Sequence, residues 1–517
     1  MELVPGRARR RLGALVVVVA FVTSRVALWL AGVDFDLRPI NDSFALVDAA
    51  LLRDDLFTTL VNLHVQPPLF NLAVGLGLKL GPAALHVFHA AFLGVGLALA
   101  LGMYAALIRV GAGVALAVVA TTALVLSPSV FLYEHWFHYD YPVAALLCLA
   151  LVVLQRYAEH RRPLDACVFL GLLTAVALTR SMFHLAWLGA WATALVLAAR
   201  HDAPRARTVV TAAAILGVAA VAGVYANSQR VAGQFASSTT MGVSLAKITT
   251  FQLDEKVRSD LVAQGKLSPL ALVDPASPLA RYRLLLSPHP PTGVPALDEV
   301  AKGSAEATTA FRSNFNNRDY AELSDRYLAD AVATLRLHPA AYLQGVFGAV
   351  RTFFRPPSTF FALASNRERV DALDRVYGLA VLARTASAEH PAPQPPRAAD
   401  RFAPPPGGTA WLVVGAYGLA LVGGAVWVGQ RLRRRRPVLV VAFSWSTVAY
   451  VTAVGNLLEI GENNRFRLYS DPLVVVLVVA MVLAWRRHRR RVAEGSHTSA
   501  SMPVCHAARM SATAERS

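Results

Sequence analysis

The sequence predicts an all-α polytopic membrane protein with about ten transmembrane helices, and three observations carry the prediction. First, 55% of the 517 residues are apolar and only 16% are charged, with a mean hydropathy of +0.45. Second, apolar runs of about 18 to 20 residues recur, long enough at about 1.5 Å per helical residue to cross a hydrocarbon layer roughly 30 Å thick. Third, the basic residues gather in clusters at alternate ends of those runs, the pattern by which cytoplasmic loops orient membrane helices.

The runs read as 13–32, 82–108, 113–132, 139–155, 163–180, 183–199, 208–226, 409–430, 437–455 and 468–485. The first follows a basic start, Arg7 to Arg11, but lacks a small-residue cleavage site and is read as a span rather than a removable signal. With ten spans, Arg7–Arg11, Arg109, Arg156–Arg162, Arg200–Arg207, Arg431–Arg436 and Arg486–Arg491 all fall on one side. That side is read as cytoplasmic and holds both termini, in the plasma membrane. The net charge of +17 is thereby explained by helix orientation, and a nucleic-acid partner is not expected. Cys148, Cys167 and Cys505 fall in spans or in the tail, so no external disulfide framework is expected.

The chain divides into an N-terminal membrane domain of seven spans, 1–226, an extracytoplasmic segment, 227–408, a three-span membrane domain, 409–491, and a polar tail, 492–517, read as disordered. Two outer segments, 33–81 and 227–408, are too long to be simple connectors. Residues 69–81 are too short to span and read as an interfacial or re-entrant helix. Residues 340–354 space Tyr342, Leu343, Val346, Phe347, Val350 and Phe354 as one helical face, which suits either the membrane interface or the core of a small subdomain. The Pro-rich strip 391–407 reads as an extended linker.

Chemistry-bearing residues concentrate on the outer side. The first outer loop carries Asp34, Asp36, Asp42, Asp48, Asp54 and Asp55, and also His64 and Gln66. A carboxylate near the interface is suited to taking a proton from a water-soluble hydroxyl, or to holding a divalent cation against a phosphate. The next outer turn, LYEHWFHYDYP, packs Glu134, His135, His138, Asp140 and Tyr141 between two apolar runs. Arg180 and His184 lie in the third turn; Glu459, Glu462, Arg465, Arg467 and Asp471 lie in the last. Arg465 and Arg467 run against the positive-inside trend, and guanidinium donors match phosphate oxygens in a bidentate way. His86 and His89, spaced i, i+3, lack further ligands and read as packing between helices. No Gly-rich phosphate loop, CxxC pair or credible Ser-His-Asp pattern is present.

The combination NDSFALVDAALL, HVQPPLFNL and RFRLYSDPL resembles the membrane glycosyltransferases of the GT-C fold, nearest to the family 39-like protein mannosyltransferase and aminoarabinose transferase type. Asp42 stands where that family has the Asp of an Asp-Glu pair, with Ser43 in place of the Glu. Gln66, Pro67, Pro68 and Leu69 match a Lys-Pro-Pro-Leu stretch with Gln for Lys, and Arg465 and Phe466 resemble an Arg-Tyr pair. The resemblance covers roughly the first 200 residues and the last 50, and does not extend to the long outer segment. It implies a GT-C-like fold and transfer of a sugar, with inversion, from a polyprenyl-phosphate lipid to an extracytoplasmic acceptor. Asp42 would be the base, Asp34 and Asp36 its alternates and Glu134 a second acid that positions acceptor or metal. Arg180, Arg465 and Arg467 would grip the donor phosphate, with His64, Gln66, His138 and Asp140 lining the acceptor side or serving structure. The resemblance leaves a divalent cation as an open option, and no other cofactor is expected. Two rival readings stand beside it: a transporter or flippase of a lipid-linked substrate, and a non-catalytic envelope assembly protein. The first would call for polar groups at mid-membrane, and the second would tolerate neutralisation of the loop acids.

Overall fold

A computed structural model describes residues 6–275, 277–287, 289–303, 312–383 and 410–499, with side chains through residue 491. The Pro-rich strip and most of the tail expected to be disordered lie outside the described residues. Among the described residues there is no strand, only isolated bridges between Asp36 and Trp136 and between Ala301 and Ser313. The protein is an all-α polytopic membrane protein, with seven helices among the described residues long and apolar enough to cross a bilayer.

In chain order the helices that matter here are α1 (Arg7–Leu30), α2 (Pro68–Leu78), α3 (Gly81–Arg109), α4 (Val114–Val125), α5 (Pro128–Glu134), α6 (Asp140–His160), α7 (Pro163–Ala177), α8 (Leu185–Ala199) and α9 (Pro204–Ala232). Segment 227–408, the expected outer segment, contributes α10 (Met241–Ile248), α11 (Asp319–Leu337), α12 (Pro339–Phe353) and α13 (Ala364–Ala380). The C-terminal part holds α14 (Trp411–Arg433), α15 (Leu439–Leu457) and α16 (Asn463–Ser499).

Three of the expected spans differ from simple crossings. The run 113–132 is two helices, α4 and α5, bent by 57°. The break falls at Ser127-Pro128, where the ring removes an amide donor and pushes the preceding residue out of the α region. The runs 163–180 and 183–199 form helices of 15 residues each, α7 and α8. At about 1.5 Å per residue these reach roughly 22 Å, short of a full hydrocarbon thickness. Proline at the first helical position opens α5, α7, α9 and α12, its missing N–H being one that a helix start leaves unused anyway. Gly233, at φ 72°, closes α9 in the left-handed conformation that glycine adopts without strain.

The main apolar core runs through the membrane helices, with α6 at its centre against α3, α7 and α16. A second, smaller core joins the outer segment, around Ile248, Phe251, Tyr282, Leu323 and Tyr327, and reaches Ile460 in the turn before α16. Helix α12 buries its small-residue face, Ala341, Gly345, Gly348 and Ala349. A Cβ on Gly345 would lie 2.2 Å from the Ile248 carbonyl oxygen, so glycine is what lets α12 approach α10. The opposite face leaves Leu343 and Phe347 exposed. Of the two expectations for 340–354, one face packs on the outer unit while the other is free to meet apolar surroundings.

Candidate functional site

The loop after α1 is tied to the turn between α5 and α6 by a backbone bridge and by aromatic side chains. Asp36 N–H donates to the His135 carbonyl at 2.8 Å, and Phe137 N–H donates to the Asp36 carbonyl at 3.0 Å. Beneath this bridge an aromatic cluster fixes the turn: Phe137 meets Phe35, Phe70, Phe88 and Phe92, and Trp136 stacks on His138 at 4.3 Å. The result is an open cleft of about 240 Å³ between the loop, the turn, the segment around Phe360 and the start of α16. Asp36, Asp42, His138, Glu462 and Arg465 all line it.

Each charged group in the cleft has a definite setting. Asp36 accepts two hydrogen bonds from the Arg38 guanidinium, at 2.9 and 2.8 Å, and one from the Ser365 hydroxyl at 2.7 Å. Burial pushes its carboxyl up, but those bonds outweigh burial and hold it below the usual carboxylate range. Asp42, at the C-terminal end of the short helix Pro39–Asp42, keeps 42% of its side chain exposed, with Arg312 Nε 3.4 Å away. Arg465 is the reverse case: its side chain is 2% exposed, Nη2 lies 2.6 Å from Glu462, and Nη1 lies 3.8 Å from Asp140. Its Nε is buried with no hydrogen-bond partner. Phe44 and Phe360 flank the guanidinium at 5.9 and 5.4 Å. Burial pushes Glu462 up, yet Arg465 and then Lys247 pull it net below its ordinary value.

Asp140 is the hub behind the cleft. Fully buried at the start of α6, it receives the Tyr469 hydroxyl from α16 and sits 2.9 Å from His138 Nδ1. The contact is a close approach without hydrogen-bond geometry, since neither His138 Nδ1 nor Asp140 Oδ2 has a hydrogen-bond partner. Burial lowers the His138 pKa, more than the adjacent Asp140 raises it, so the ring is held neutral.

The structure separates other expected residues from this site. Glu134 is 0% exposed and closed off: Arg25 of α1 grips it through Nε and Nη2, both at 2.7 Å, and Tyr141 donates to Oε2 at 2.7 Å. Gly96 makes the room, since a Cβ there would stand 2.1 Å from Glu134 Oε2. With its oxygens taken by Arg25 and Tyr141, Glu134 is an anchor between α1, α5 and α6 and does not meet the cleft. Asp34, with 83% of its side chain exposed, pairs with Arg369 away from it. Arg467 binds Asp471 and donates to the Arg355 carbonyl at 2.9 Å. Residues two apart on a helix point to opposite sides, so Arg465 and Arg467 cannot share one phosphate. Arg180 donates to the Tyr139 hydroxyl and lies over Phe466, without lining the cleft.

His64 and Gln66 belong to the seam between the first outer loop and the outer segment. His64 Nε2 meets the Asn316 carbonyl at 2.8 Å and Nδ1 meets the Thr239 hydroxyl at 2.9 Å. That pattern suits a neutral ring donating from Nε2, and burial lowers its pKa to about 4. Gln66 is buried beside it, its Oε1 without a partner. His89 stacks on Phe35 at 4.9 Å, as packing between elements requires.

Three contributors went unrecognised in the sequence: Lys302, Arg312 and Phe360, all from the outer segment. Lys302 is buried and donates to the Ser43 carbonyl, next to Asp42. Burial pulls its ammonium down to about 7 against the opposing pull of Asp48 and Asp42. No local pattern marks these residues, because their placement is set by the fold of a long segment. Arg25 did carry a signal, as an isolated charge inside an apolar run. Among the described residues no three His, Cys, Asp or Glu side chains converge to hold a metal ion.

No protein-family model, curated protein or solved structure matches the chain.

Proposed function

We propose that the protein is a GT-C-like glycosyltransferase that moves a sugar from a polyprenyl-phosphate lipid to a hydroxyl acceptor at the cleft. The observation that carries this reading is the pairing, across one small cleft, of an accessible carboxylate, Asp42, with a buried guanidinium, Arg465, that has a free Nε. In the reaction, Asp42 accepts the acceptor's hydroxyl proton and the oxygen attacks the anomeric carbon. The bond from that carbon to the phosphate oxygen breaks, and the lipid phosphate leaves with the electron pair, its charge met by Arg465. In-line attack inverts the anomeric centre. Phe44, Phe360 and Phe361 supply an apolar lip for a sugar face or the first isoprene units.

The reading has a matching topology. Counting the bent α4–α5 pair and the short helices α7 and α8 as crossings brings the total to ten, with both termini cytoplasmic and the cleft on the outer face of the plasma membrane. All arginine clusters then share one side.

The test is product chemistry. The purified protein in liposomes, given a panel of polyprenyl-phosphate sugars, is expected to consume one of them and to yield a product of inverted anomeric configuration by NMR. Consumption of none, or a product with retained configuration, contradicts the proposal.

A further inference from the structure

The far ends of the membrane helices carry a second, larger cavity of about 440 Å³ between α14, α15 and α16, reached also by Val110 after α3 and Ala158 of α6. Its rim is basic: Arg431, Arg436, Arg487, His488 and Arg491. Its walls are apolar, with Leu439, Val440, Leu477, Ala480 and Ala484 running into the helix bundle. No acid lines it. Elsewhere at this end the arginines have carboxylate partners: Arg109 with Glu159, Arg156 with Asp165 and Arg161 with Asp202. Among the described residues, positive charge therefore goes uncompensated at this groove, while it is neutralised beside it.

The rim is also built rather than merely solvated. Arg431 lies over the Trp427 ring at 4.9 Å and donates from one terminal nitrogen to the Pro437 carbonyl, while its Nε is buried with no partner. A buried guanidinium nitrogen with no acceptor is costly unless something supplies one. Arg487 is fixed by hydrogen bonds to the Val110 and Leu483 carbonyls, at 3.2 and 3.3 Å. Between α14 and α15 the turn holds Arg435 at φ 52°, a left-handed conformation unfavourable for a side-chain-bearing residue, and the next residue, Arg436, stands on the rim.

We infer that this groove is a binding site for an anionic phospholipid, whose phosphate sits among Arg431, Arg436 and Arg487 and whose acyl chain lies along Leu477 and Ala480. A free phosphate would satisfy the arginines but has no use for the apolar walls. A zwitterionic lipid would bring a cation to a rim that already has only cations. Basic pockets between membrane helices attract anionic headgroups by this combination of charge and apolar contact. Bound there, the lipid ties α14, α15 and α16 to the ends of α3 and α6.

Native mass spectrometry of the full-length protein in detergent tests this with added phosphatidylglycerol or phosphatidylcholine. The wild type is expected to bind phosphatidylglycerol in preference, and millimolar inorganic phosphate is expected not to displace it. In R431Q/R436Q/R487Q the affinity for phosphatidylglycerol is expected to fall by roughly 100-fold, since each arginine near an anionic headgroup contributes roughly fivefold. R433Q/R434Q, on exposed arginines of the same cluster that do not line the groove, is expected to bind as the wild type does. Should the triple variant misfold, R436Q/R491Q, which changes only exposed rim residues, is expected to weaken binding at least tenfold. Equal loss in R433Q/R434Q, equal binding of phosphatidylcholine, displacement by inorganic phosphate, or unchanged binding in folded groove variants would each overturn the assignment.

Discussion

Glu134 and Asp42 are both acids close to the end of an apolar helix, yet the fold gives them opposite surroundings. Glu134 has every near position filled, by Arg25 on two sides and by Tyr141, and no exposure. Asp42 has one distant arginine and 42% of its side chain open to a cleft. The difference shows how membrane proteins use carboxylates. One that is completely satisfied holds helices together and has nothing left to offer a substrate, whereas one left partly unsatisfied at a cleft retains an oxygen for a proton.

The comparison can be broken first at the anchor. Glu134→Gln leaves Arg25 buried without its counter-charge, and a loss of about 3–5 kcal/mol in stability is expected, read by thermal unfolding in detergent. A change below about 1 kcal/mol would mean that Arg25 finds water and that the pocket around Glu134 opens to solvent.

The seam between the first loop and the outer segment gives a pH effect of nearly the same size. Folded His64 titrates near 4 against an ordinary value of 6.5, so the unfolded chain binds the proton more readily between those values. Stability is therefore complete above about pH 6.5 and declines as the pH falls towards 4, by on the order of 3 kcal/mol in all. His64→Asn is expected to remove that slope in a series of unfolding measurements. Persistence of the slope would assign it to other groups.

Gly96→Ala pushes a methyl group into Glu134 and is expected to cost about 1–3 kcal/mol, by overpacking, with the cleft unchanged. The smallest effect belongs to Asp34. Its exposed pairing with Arg369 is worth less than about 1 kcal/mol, so Asp34→Asn is expected to leave both stability and sugar transfer near wild type. A large loss of transfer there would move the base from Asp42 to its alternate.

The membrane class was legible because long apolar runs with so few charges rarely serve a water-soluble core. The lengths of individual helices were less so. Hydropathy saw 113–132 as one run, although Pro128 already marked the bend, and it joined α7 and α8 to polar turns that shorten them. At the site, Asp36, Asp42, His138, Glu462 and Arg465 stood out as polar residues between apolar runs. Their separation from Glu134 did not, because it depends on Arg25 lying 109 residues away in sequence. Lys302, Arg312 and Phe360 were illegible for the same reason. They come from an outer segment whose contacts with the first loop are long-range, and no periodicity reports such contacts.

The most direct measurement sets Asp42→Asn beside Glu134→Gln in one transfer assay, run below both unfolding temperatures and normalised to folded protein. Asp42→Asn is expected to keep wild-type stability and lose about 100-fold or more in rate, the usual weight of a general base. Glu134→Gln is expected to be less stable but to transfer within about threefold of wild type per folded molecule, since it holds helices and touches no reacting group. Full activity in Asp42→Asn, with the greater kinetic loss in Glu134→Gln, would contradict the assignment of Asp42 as base and Glu134 as anchor.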